Sequence, residues 1–136
     1  MKGINLRQVR DFLDEMHLTS RYDDNGNLEV VFGASEEFVY DIVIIISTDN
    51  DRLSYFSFAP GYTPRTADPF RLANSHNRRC YMPVCVVRGE DEHIDFEYSY
   101  LLDEEVSEEF VRENCVVMPI RCILRSFADL EKEYQP

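Results

Sequence analysis

Basic residues are scarce in this chain: 14 Lys and Arg stand against 26 Asp and Glu, for a formal net charge of −12. That balance argues against nucleic acid and anionic membrane surfaces as main partners, because phosphate backbones are held by a basic footprint. Cys80, Cys85, Cys115 and Cys122 contain no CxxC pair, so they read as free thiols used as small core residues in a reducing compartment. The longest apolar run, Ile42 to Ile46, is far too short to cross a bilayer. The start, Met1-Lys2-Gly3-Ile4-Asn5, has neither the apolar stretch nor the cleavage site of a signal peptide, so a cytoplasmic location is expected. There is no Gly-x-Ser-x-Gly elbow, and none of His17, His76 and His93 pairs with a His or Cys at ligand spacing. Cofactors, metals and catalytic residues are expected to be absent, and the chain is expected not to be an enzyme.

What is present describes a globular domain. With 136 residues, 44% hydrophobic and 12% aromatic, the chain can bury a core without disulfides, and 1–136 reads as one domain. Asn5 with Gln8 has the form of a capping box, and Leu6, Val9, Leu13 and Met16 recur at helical spacing, which predicts a helix over 6–16. Asn25-Gly26 suits a type I′ hairpin pairing 19–24 with 27–33. Calcium is the rival reading of Asp23-Asp24-Asn25-Gly26. It fails because Arg21 and Phe32 would fill the first and last ligand places. A strand is predicted over 37–47, apolar on both faces, and another over 52–59 with Phe56 and Phe58 on one face. Loop follows over 60–68. Asp68-Pro69 starts a short helix to about 77, ended by Asn77. Strands over 79–88 and 93–101 come next. Pro83 marks an edge or bulge in the first. In the second, Ile94, Phe96, Tyr98 and Tyr100 face the core, while His93, Asp95, Glu97 and Ser99 face water. Ser107 caps a last helix carrying Phe110, Val111, Val117, Ile120, Leu124, Phe127 and Leu130, which Pro119 should kink or split. The acidic groups 90–92 and 103–105 read as solvated charge at a turn and before a helix. The order α-β-β-β-β-α-β-β-α gives an α+β fold with a mainly antiparallel sheet.

The stretch Phe70-Arg71-Leu72-Ala73-Asn74-Ser75-His76-Asn77, the strand pair over 79–101 and the acidic cap Glu104-Glu105-Val106-Ser107-Glu108-Glu109 resemble the YbjN-like bacterial proteins. Those proteins are similar in fold to the small acidic chaperones of type III secretion systems. The resemblance implies a helix–strands–helix–two strands–helix domain that binds, with no catalytic residues. It also makes a two-fold homodimer the natural first guess. The residues singled out for binding are Arg71, Asn74, Asn77 and Arg78. Arg71, Arg78 and Arg79, with Arg65 nearby, form a basic island able to grip a carboxylate or phosphate, or else to pair with the chain's own acids. Asn74 and Asn77 either line a ligand site or serve local backbone, Asn77 as the helix cap. The expected function is a non-enzymatic protein-binding module, chaperone-like or regulatory, holding a segment of another protein. The alternatives are an acidic immunity or toxin-neutralising protein, and a small-ligand binder or enzyme using the arginine island.

Overall fold

The computed structural model describes residues 2–34, 40–60 and 68–134, with side chains through 130. The chain runs α1 (Leu6–Glu15), β1 (Ser20–Tyr22), β2 (Leu28–Phe32), β3 (Ile42–Asp49), β4 (Arg52–Phe58), α2 (Pro69–Arg79), β5 (Val84–Arg88) and β6 (His93–Leu101). A long C-terminal helix, α3, follows in three contiguous segments: Glu108–Phe110, a π-helical stretch Val111–Val117, and Met118–Tyr134. The strands form one antiparallel sheet in the order β1-β2-β3-β4-β6-β5. The element order is the one the sequence pattern predicts. No helix among the described residues is long and apolar enough to cross a membrane.

Local chemistry sets the element ends. The α1 capping box forms in full: Gln8 N–H donates to Asn5 Oδ1 and Asn5 N–H to Gln8 Oε1, each at 2.9 Å. The helix closes with His17 at φ 60°, His17 N–H donating to the Asp14 carbonyl and Leu18 N–H to the Leu13 carbonyl. This is a Schellman stop with histidine where glycine is usual. The β1–β2 turn is not type I′. Among its residues only Gly26 has positive φ, 80°, because Asp23 Oδ1 accepts both Asn25 N–H and Asn27 N–H and holds the first part of the turn right-handed.

Strand three begins at Ile42 rather than 37; residues 37–39, like the loop 61–67 with Arg65, lie outside the described residues. Helix α2 runs past Asn77 to Arg79, with Cys80 as its cap, so Asn77 does not end it. Strand β5 starts only after Pro83, at the sheet edge.

All three helices pack on one side of the sheet. There α1 contributes Val9, Phe12 and Leu13, and α3 contributes Val111, Cys115, Val116, Ile120, Ile123, Phe127 and Leu130. They meet Leu28, Val30, Ile42, Ile44, Ile46, Leu53, Tyr55, Ile94 and Phe96 in a single apolar cluster. Helix α2 joins through Leu72, Ala73 and His76, whose ring stands edge-on to Phe96, centroids 4.9 Å apart. The alternating residues of β3 and β4, Val43, Ile45, Phe56 and Phe58, take no part in that cluster. Ile42–Ile46 thus serves two faces, as predicted, but among the described residues helices cover only one.

Pro119 does not split α3, which stays helical through it without a break. Met118 N–H donates five residues back, to the Glu113 carbonyl, and Pro119 has no N–H to donate at all. The Cys115 carbonyl, four residues before Pro119, instead accepts the buried Tyr55 hydroxyl at 2.5 Å. The buried stripe runs through Val116, Ile120, Ile123 and Phe127, and Val117 and Leu124 are only partly buried beside it.

Candidate functional site

The helix-free face of the sheet is built by strand alternation. Val31 pairs with Val43, Val43 with Phe58, and Ile45 with Phe56, all pointing away from the helices. Val84 and Val86 extend the row onto β5, opposite Glu97 and Asp95 of β6. Val31 is 50% exposed and Val84 36%, both high for valine. A groove of about 310 Å³ opens here, lined by Ser54, Phe56, Met82, Val84, Glu97 and Ser99. Its floor is low because two small residues, Ser54 and Ser99, pair directly across β4 and β6. Its outer wall stops where β5 starts, so β6 has no outer neighbour among the described residues from Tyr98 to Leu101.

One charged group on this face is fully buried. Asp95, expected to face water, has 0% exposure, and neither carboxylate oxygen accepts a well-formed hydrogen bond. Arg88 Nε lies 3.4 Å and His93 Nε2 3.3 Å from Asp95 Oδ2. Arg88 also pairs with Glu97 and lies over the Phe56 ring, 5.4 Å from its centroid. His93 Nδ1 lies 2.9 Å from Asp91 Oδ1. Burial pushes the Asp95 carboxyl above the usual carboxylate range, with His93 and Arg88 pulling the other way. His93 is held above the usual imidazole range, first by its hydrogen bond with Asp91 and further by the Asp95 charge. A signal for this cluster lies in the sequence: a short turn between the strands sets Arg88 opposite His93 and Val86 opposite Asp95. The alternation rule alone treats every second residue as solvated, and so misses it.

On the opposite layer, Arg71, Asn74, Ser75 and Arg78 recur at i, i+3, i+4 and i+7 along the outer side of α2. Together with Arg79 they line a polar groove of about 530 Å³. The structure therefore brings Arg71, Asn74 and Arg78 together and leaves Asn77 out. Asn77 clamps the edge strand: its Nδ2 donates to the Cys85 carbonyl at 2.9 Å and its Oδ1 accepts Cys85 N–H at 2.8 Å. The amide stands in for a missing strand neighbour and blunts the β5 edge. His76 Nε2, 2.8 Å from the Pro83 carbonyl, ties the same helix to the chain entering β5. Neither tether was readable from spacing, since both depend on where α2 docks.

The two buried thiols, Cys85 and Cys115, do not suit nucleophilic work. Burial pushes Cys85 up to about 12 and Cys115 up to about 11, so neither holds appreciable thiolate near neutrality.

Residues 5–122 match the model of the YbjN family, described as "Putative bacterial sensory transduction regulator". Among solved structures, the chain is similar to "Crystal structure of YbjN, a putative transcription regulator from E. coli". That likeness has a TM-score of 0.62 at 14% identity and covers 93% of this chain and 88% of that one; it bears on fold alone. No curated protein matches the chain.

Proposed function

The chain belongs to the YbjN family, and we propose that it is a non-enzymatic regulatory module that holds an extended basic segment of another protein on its helix-free sheet face. The family's description supports a regulatory role. The observation that carries the binding reading is one-sided packing: Val31, Ile45, Phe56, Phe58, Val84 and Val86, beside the buried Val43, form an apolar face that no helix covers among the described residues. The open β6 edge beside it suits main-chain pairing with an added strand, and the neighbouring groove suits one of that strand's side chains. A net charge of −12 favours encounter with a basic segment over an acidic one. The rival occupant is a second copy of the chain, but pairing two such chains brings like charges together. An immunity role would use the same steering toward a basic toxin, and the identity of the captured partner separates the two.

The test is a tagged pull-down from native-host lysate at low and moderate salt, comparing the wild type with a Val31→Lys/Val84→Lys variant. The expected result is one stoichiometric basic protein, lost at moderate salt and lost in the variant. Recovery of bait alone, or of the same protein by both baits, would overturn the reading.

A further inference from the structure

We propose that the arginine groove on α2 is a binding site for a phosphomonoester group, independent of the sheet face. The fold accounts for only part of this cluster. Arg78 and Arg79 sit in the last turn of α2, where the helix dipole favours cations, and Arg79 Nε already donates to the Ser75 carbonyl. Arg71 lies in the first turn, where the dipole opposes a cation. Among the described residues, no carboxylate pairs with the guanidinium of Arg71 or of Arg78. In a chain with 26 acidic residues against 14 basic ones, that is a surplus of cations where local neutralisation should be easy.

The donors suit a dianion. Arg71 and Arg78 lie two turns apart, about 10 Å along the axis, with the Asn74 amide and Ser75 hydroxyl between them on the same face. A carboxylate satisfies one guanidinium fork. A terminal phosphate, with three oxygens and about two charges, can engage two forks and the short donors between them. The groove, about 530 Å³, admits such a group with part of whatever carries it. Phosphate chemistry is common to a small phosphorylated metabolite and to a phosphorylated side chain.

The experiment is an NMR titration of the full ¹⁵N-labelled chain. Inorganic phosphate is run against sodium chloride at matched ionic strength, and a phosphoserine hexapeptide against its unphosphorylated form. Saturable shifts centred on residues 71–79, seen with phosphate and not with chloride, are expected. Arg71→Gln or Arg78→Gln should weaken binding about tenfold or more, while Arg121→Gln, exposed on α3, leaves it unchanged. Tighter binding of the phosphopeptide than of phosphate assigns a protein-borne group, and equal binding assigns a free one. Shifts matched by chloride, or affinity retained in both glutamine variants, would overturn the proposal.

Discussion

Replacing Tyr55 by Phe tests why α3 can carry a proline in its interior. The hydroxyl is buried and donates at 2.5 Å to the Cys115 carbonyl, itself fully buried on the sheet side of the helix. In a regular α-helix that carbonyl would accept the N–H of residue 119, but residue 119 is proline. Tyr55→Phe therefore leaves a buried acceptor without this donor, at a cost of about 1–3 kcal/mol. Pro119→Ala returns an N–H that can reach the same carbonyl. In that background the cost of Tyr55→Phe should fall below about 1 kcal/mol, giving a coupling of about 1–2 kcal/mol across the cycle. Urea denaturation followed by circular dichroism resolves this, since 1–2 kcal/mol moves the midpoint by about 0.5–1 M. Equal cost in the two backgrounds would refute the link between Tyr55 and Pro119.

Two further perturbations probe β5 and β6. Asn77→Ala removes both hydrogen bonds to the Cys85 backbone and should cost about 1–3 kcal/mol, with amide exchange of Val84–Val86 speeding up. Unchanged exchange there would contradict the clamp. His93 has a folded pKa above its unfolded value, so its contribution is fully present below about pH 6.5 and lost as pH rises through the folded pKa. The stability difference between wild type and His93→Gln should accordingly shrink with rising pH above that point; a difference that grows would be inconsistent with the Asp91–His93–Asp95 arrangement. Asp95 is shifted the opposite way from a salt-bridged carboxylate, because burial makes its ionised form unfavourable in the fold. Asp95→Asn should thus raise stability at pH 7, with the gain shrinking as pH falls below the raised folded pKa and gone below the ordinary carboxylate range. A loss at pH 7 would show that Arg88 and His93 outweigh the burial.

Signals that act within a few residues were legible in the sequence. The Asn5–Gln8 box, the Asp68-Pro69 start and the alternation of β6 all fix local backbone, and each appears where periodicity places it. Proximity in sequence marked Arg71 and Arg78 as an island, and the structure adds Asn74 to them on one face of α2. Features needing a distant partner were not legible. The last helix's apolar residues marked Val117 and Leu124, but which side of that broad stripe meets the sheet is set by docking, which buries Val116 and Ile123 instead. The turn at Asn25-Gly26 was visible, yet its type was decided by the Asp23 side chain. Asp95 looked solvated because alternation says which face a residue takes and not what its neighbours cover. Asn77 looked like a cap because its Cys85 partner is defined only by the docking of α2 on β5.

The claim that the helix-free face does the binding is tested most directly by photo-crosslinking in native cells. A benzoylphenylalanine replaces Val31 or Val84 on that face, or Arg7 or Arg121 on exposed positions of the helices. The expected result is one discrete adduct with a basic protein from Val31 and Val84, and none from Arg7 or Arg121. Adducts of the same protein from the helix positions, with none from the sheet, would contradict the account.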